Sequence, residues 1–213
     1  MSHPSIMKKL FLLVLTFFST ASFAQPKIKK LDKSSIPKDI QYTGNLVNAL
    51  RWTDNPGDNI VITTETGISE SKGSGGEDYR NAALDAWHYR LEAGSWKMTW
   101  KVHDFIKECP VDLAANYIKN SFAVTDLDKD GIAEVWMMYK TVCHGDVSPS
   151  TLKIIMYQGD NKYAVRGTTR LRVSEKDYYG GEYTFDEAFK KAPQQFREYA
   201  SRLWKKNVVE TWK

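Results

Sequence analysis

From Asn45 onward, apolar and polar side chains alternate with a period of two, and turn residues interrupt the alternation at short intervals. This is the pattern of strands with one buried and one wet face. "NLVNALRW" and "NIVITTET" are β-branched runs separated by the turn cluster "DNPGDN". "AWHYRLEAGSWKMTWKVHDF" predicts a hairpin closed by "EAGS". In it Trp87, Tyr89 and Leu91 share one apolar face, and Trp96, Met98, Trp100 and Val102 another, while His88, Arg90, Lys97, Lys101 and His103 point to solvent. The aromatic side chains suit either a packed core or a sugar-stacking platform. "SFAVTDL" leads into an acidic turn and "AEVWMMYKTV" leaves it; "STLKIIMYQ" and "KYAVRGTTRLRV" form a further hairpin across "GDN".

Three segments depart from this pattern. "SESKGSGGEDYRN" is polar and glycine-rich and reads as a mobile loop; its glycines lack the spacing of a phosphate-binding motif. "CPVDLAANYIKN" reads as a short helix, with Pro110 in its first turn. Near the C-terminus, Thr184 and Glu187 form a capping-box signature, and Phe185, Phe189, Phe196, Ala200 and Leu203 recur at helical spacing, with Pro193 dividing or bending the helix. The expected fold is mainly β (α+β): an antiparallel meander of about seven or eight strands with a C-terminal helical segment packed on it.

The N-terminus adds a location. "MKKLFLLVLTFFSTASFAQ", from Met7, has a basic start, an apolar stretch too short to span a bilayer comfortably, and small residues Ser22 and Ala24 before Gln25. Residues 1–24 are therefore expected to be a cleaved signal peptide, residues 25–42 a flexible leader, and residues 43–213 a single β-rich domain. No cysteine follows the apolar stretch, so the destination is the periplasm or the medium without a lipid anchor, and no membrane span remains after cleavage. Cleavage removes Lys8 and Lys9 and lowers the formal charge of +4 by two units. That near-neutral balance points away from nucleic acid and anionic membranes; for an exported binding domain the expected partner is a glycan or an envelope protein.

The two cysteines, Cys109 and Cys143, would reach an oxidising compartment, where an even count predicts a disulfide. Closing a loop of roughly 34 residues contributes about 3–4 kcal/mol on the chain-entropy model. Neither lies near a second cysteine, so a Cys-x-x-Cys redox site is excluded.

"TDLDKDGIAEVW" carries the clearest chemistry. Counted from Asp126, carboxylates fall at positions 1, 3 and 5 (Asp126, Asp128, Asp130), glycine at 6 (Gly131) and Glu134 at 9. Alternate aspartates on a tight turn converge on one centre, and the glycine permits the bend that turns the Ile132 carbonyl inward. Calcium takes six to eight oxygens, several of them carboxylate. An EF-hand needs a bidentate glutamate at position 12, which here is Met137, and the flanks are strand-like. The D-x-D-x-D-G-x-x-[DE] loop resembles the calcium loops of FG-GAP and VCBS-type repeats, with glutamate at position 9 where aspartate is commoner. That resemblance implies Asp126, Asp128, Asp130, Glu134 and the Ile132 carbonyl as ligands of a structural Ca²⁺. The loop occurs once, so a propeller is not implied.

From this loop to "YKTVCHGDVSPSTLKIIMYQGDNKYAVRGTTRL" and "GGEY", the chain also resembles a family of exported Bacteroidetes-type bacterial proteins labelled loosely as surface polysaccharide biosynthesis, which implies an envelope setting. No residue pattern identifies a reaction. His88, His103 and His144 lack zinc spacing, no G-x-S-x-G elbow is present, and a carboxylate pair drawn from Asp104, Glu182 and Asp112 depends on the fold. The expectation is an exported, calcium-stabilised, non-enzymatic binding domain. A glycan-acting enzyme using carboxylates and a secreted inhibitor remain as alternatives.

Overall fold

A computed structural model describes residues 26–174 and 176–210; the proposed signal peptide and its cleavage point at Gln25 lie outside them. The chain runs through β1 (Lys29–Lys30), β2 (Asn45–Asp54), β3 (Gly57–Glu65), β4 (Ser69–Lys72), β5 (Asp78–Glu92) and β6 (Ser95–Cys109). It continues through β7 (Leu113–Tyr117), β8 (Ala123–Thr125), β9 (Glu134–Cys143), β10 (Thr151–Gln158) and β11 (Asn161–Thr168). The last elements are β12 (Arg170–Arg172), β13 (Tyr178–Gly180), β14 (Tyr183–Phe185), α1 (Glu187–Lys191), α2 (Gln194–Asn207) and β15 (Val209–Glu210).

The fold is mainly β with antiparallel sheets and a C-terminal helical segment, as the alternation predicts. The strands divide among three sheets instead of forming one meander. The first has the order β1-β2-β3-β5-β4 with β6 beside β5, and the second β14-β11-β10-β9-β7 with β8 beside β9. A small third sheet, β13-β12-β15, includes one parallel pair.

Three apolar layers hold these elements together. Between the two large sheets lie Trp52, Val61, Leu84 and Trp100 from the first and Val135, Met137, Ile155 and Tyr157 from the second. On the far side of the second sheet, Trp136, Met138, Ile154 and Met156 meet Phe189, Phe196, Ala200 and Trp204 of the helices. On the far side of the first, Ile60, Ile62, Trp87 and Tyr89 are covered by Leu31, Ile36 and Ile40. The central strands are therefore buried on both faces, which explains the unbroken run of six buried residues that opens β9.

That last layer corrects the expected flexible leader at 25–42. β1 pairs with β2, and Leu31, Ile36 and Ile40 close over the sheet. Nor is 109–120 a helix. β7 pairs with β9 from Leu113↔Cys143 to Tyr117↔Tyr139, burying Leu113, Ala115 and Tyr117 at period two. The glycine-rich segment 69–81 is a paired hairpin of β4 and β5, not a mobile loop. Helix α1 is capped by Asp186, whose Oδ1 accepts from Phe189 N at 2.8 Å, while Thr184 belongs to β14. Pro193 separates α1 from α2 as expected.

The β5–β6 hairpin carries a bulge that the alternation does not reveal. Trp100 pairs with His88, but Met98 pairs with Tyr89, so Thr99 is the extra residue. The bulge exchanges faces: Trp96 and Met98 lie on the outer side of the first sheet, Trp100 and Val102 on the inner side. His88, expected in solvent, instead stacks between Trp52 and Trp100, with ring centroids at 5.4 and 5.0 Å. Tyr157 of the second sheet continues the stack, 4.2 Å from Trp100. Cys109 and Cys143 lie at bonding distance, with Cα atoms 5.8 Å apart, and join the end of β6 to the end of β9.

Burial, helped by the Arg90 charge, lowers the pKa of His88 from 6.5 to about 3. Between those values the unfolded chain binds a proton that the folded chain does not, so stability falls as pH falls below about 6.5. The limiting slope from this one group is about 1.4 kcal/mol per pH unit. Urea unfolding at pH 7 and pH 5 should show a smaller loss in His88→Gln than in the wild type. Equal losses would mean that the imidazole is not held neutral in this stack.

Candidate metal centre

The acidic loop lies between β8 and β9, which pair from Ala123↔Trp136 to Thr125↔Glu134, so the hairpin setting read from the sequence is present. Two residues with positive φ, Lys129 at 60° and Gly131 at 81°, turn the chain. Ile132 N donates to Asp130 Oδ1 at 2.8 Å and closes the turn locally. The result brings Asp126, Asp128 and Asp130 together: each offers a carboxylate oxygen lying within 4.8 Å of the others. Asp126 is buried, Asp128 half-buried and Asp130 exposed, so the group could hold a cation at the protein rim.

Three like charges at that spacing repel one another strongly in a partly desolvated site. Burial, with the Asp128 and Asp126 charges, raises the pKa of Asp130. Asp128 Oδ1 is shielded from water and accepts no hydrogen bond. The positive end of a dipole faces the group from β10: the Gln158 amide donates to Asp128 Oδ2 at 2.9 Å and to Asp130 Oδ2 at 3.1 Å.

Glu134 lies beneath the loop. Its side chain is fully buried and accepts from Leu127 N at 3.0 and 3.1 Å and from the Thr125 hydroxyl at 2.5 Å. Burial raises its pKa to about 7, against those hydrogen bonds, and the nearby Asp128 and Asp126 charges add to the rise. It adds a fourth carboxylate to the local field, while the converging set among the described residues is the three aspartates. Ile132 follows Gly131 in the turn, where its amide is already engaged with Asp130.

The first sheet grips the same loop. Asn55, in the turn between β2 and β3, donates its backbone N–H to Gly131 O at 2.8 Å and its side-chain amide to Asp130 O at 3.1 Å. Asp54 Oδ2 accepts from Ala133 N at 3.1 Å and from the Trp52 indole at 3.0 Å; its Oδ1 accepts from Asn59 at 2.8 Å. Beside this junction is a cavity of about 240 Å³ lined by Thr53, Asp54, Asn55, Asp126 and Gly131. The sequence offers no sign of these partners, because Asp54 and Ala133 are 79 residues apart.

The other sequence candidates do not converge. Asp104 Oδ2 accepts from the Tyr139 hydroxyl at 3.0 Å and from Lys153 at 2.5 Å, within the sandwich. Asp112 pairs with Arg80 at the surface at 3.3 Å, and Glu182 is exposed. His103 Nδ1 lies 2.8 Å from the buried Asp85, which also pairs with Lys101 at 3.1 Å; this cluster was not foreseen from the sequence. His144 Nδ1 lies 3.0 Å from Asp146 O. Comparison of the chain with known protein families, with curated proteins and with solved structures finds no match.

Gly131 tests the junction between loop and sheet. A Cβ there would fall 2.1 Å from Asn55 Nδ2, and the positive φ is itself unfavourable to a side chain by about 1–3 kcal/mol. Gly94, at φ 80°, has nothing within 4 Å of such a Cβ. Both alanine variants should be destabilised in urea titrations, Gly131→Ala more than Gly94→Ala. Equal effects would show that the turn at Asn55 does not hold the loop.

Proposed function

We propose that the chain is an exported, calcium-stabilised binding domain, not an enzyme, and that the metal secures the joint between its two large sheets. The observation that carries this reading is the convergence of Asp126, Asp128 and Asp130 on a turn held by hydrogen bonds from both sheets. The donors are hard oxygens on a bent loop, which suits calcium, whereas magnesium demands near-ideal octahedral geometry and keeps several waters. The Ile132 carbonyl completes the proposed set, and Glu134 supplies a fourth carboxylate at its base. A bound cation would offset the repulsion between these groups and favour the ionised form of each.

Carboxylates elsewhere support a binding role over acid–base catalysis. Asp104 and Glu210 are each engaged by a lysine and by hydroxyl hydrogen bonds, and Asp85 is engaged by Lys101 and His103. Export follows from the signal-like N-terminus and agrees with the Cys109–Cys143 bridge, which persists in oxidising compartments. Among the described residues no helix is long and apolar enough to cross a membrane. The ligand expected in such a setting is a glycan or another envelope protein.

Calcium that binds only the folded loop adds about 2.7 kcal/mol at a hundredfold excess over its dissociation constant. Chelator should therefore lower the melting temperature of the wild type, and added calcium should restore it. Asp128→Ala should melt lower in calcium and ignore chelation. Superimposable wild-type curves in chelator and in millimolar calcium would reduce the loop to a charged turn.

A further inference from the structure

A groove on the opposite side of the second sheet from the first has a chemistry of its own. It has a volume of about 440 Å³ and lies between the small third sheet, β14 and α2. That size is in the range of small-molecule sites and too small for a folded partner. Its lining includes Arg170, Tyr178, Tyr183, Ser201, Trp204 and Lys205.

The sequence builds this groove around aromatic rings. Trp204, nearly fully buried, forms the floor; its indole donates to Gly181 O at 3.0 Å, and Tyr183 packs against it with centroids 4.9 Å apart. The Tyr183 hydroxyl donates to Ser201 Oγ at 2.9 Å, which places two hydroxyl oxygens on one wall. Tyr178 stands at the mouth, 42 % exposed, with the Arg170 guanidinium 4.3 Å from its ring centroid. That stacking orients the guanidinium, and its N–H groups make no hydrogen bond among the described residues. Lys205 approaches from α2.

The two cations decide the ligand's charge. Neither Arg170 nor Lys205 forms an ion pair among the described residues, and the lining contains no carboxylate. We propose that this groove binds an acidic saccharide, a uronic acid at the end of a chain or in a short oligomer. The C–H face of a pyranose ring lies against Tyr178, its carboxylate takes the Arg170 fork with Lys205 as second cation, and its hydroxyls meet the Tyr183–Ser201 wall. Planar, bidentate recognition of a carboxylate is what a stacked arginine offers and a lysine does not. The combination of exposed ring, hydroxyl wall and unpaired cations favours a charged sugar over a peptide, which would also need a pocket for side chains. The inference rests on the reading of the chain as a binding domain and is independent of the metal.

Isothermal titration of the mature chain in calcium with digalacturonate tests it. The fully methyl-esterified disaccharide has the same rings without the charge, and hexaglutamate has the charge without the rings. Wild type should bind digalacturonate at least about tenfold more tightly than either control. Arg170→Met and Tyr178→Ala should each weaken binding by about tenfold or more, and Arg170→Lys by less than Arg170→Met. Both positions are at the surface, so unchanged melting temperatures will separate loss of the site from loss of the fold. Equal binding of the ester, or of hexaglutamate, would overturn the assignment to an acidic saccharide. Undiminished binding in both variants would place the ligand elsewhere and leave the binding-domain reading standing. If wild type binds none of these probes and no glycan on a broad array, the groove proposal and the glycan-binding reading both fail.

Discussion

A single carboxylate, Asp54, joins parts of the protein that are distant in sequence. One oxygen receives the Trp52 indole and the backbone N–H of Ala133; the other receives the Asn59 amide. The first of these contacts fixes the end of the aromatic stack that crosses the sandwich from Trp52 through His88 and Trp100 to Tyr157. The second ties that stack to the acidic loop, and the third holds the hairpin from which Asn55 reaches Gly131. Most of the packing between the large sheets is apolar and indifferent to direction. The polar contacts at Asp54 add direction, because the Trp52 indole and the Ala133 N–H would otherwise be left without an acceptor.

How much of this was legible in the sequence follows from the range over which each feature is determined. The convergence of Asp126, Asp128 and Asp130 is fixed within one turn, so spacing and Gly131 were enough to read it. The hairpins and the break at Pro193 are similarly local. Features set by distant partners were not legible. Thr99 gives no sign that it forms a bulge, yet it moves Trp100 to the inner face opposite His88. Leu31, Ile36 and Ile40 are too sparse to form a recognisable face until a sheet is present for them to cover. In residues 109–120 the signal was available: Leu113, Ala115 and Tyr117 alternate, but Pro110 also fits the first turn of a helix. Gln158, which donates to two of the aspartates, becomes part of the loop only through the β9–β10 register that sets it opposite Glu134.

The electrostatics of the two sites are complementary. At the loop, carboxylates outnumber the cations and a buried Glu134 titrates near neutrality because its charged form is poorly solvated. At the groove, two cations face solvent and pair with no acidic side chain among the described residues. The first arrangement is costly in the folded state unless a positive charge offsets it. The second costs little, because both cations stay hydrated, and it leaves them available to a ligand.

Strand β9 has the acidic loop at its first residue and the Cys109–Cys143 bridge at its last. These two ends are about 30 Å apart along the strand. Most strands open from their ends, where a few weak hydrogen bonds separate before the rest. β9 has no loose end: one is tied covalently to the first sheet, the other by the loop that the first sheet grips. Its amide hydrogens will therefore exchange with solvent through opening of the whole sandwich, and proteases that require a locally extended segment will find their first cleavage sites in other strands.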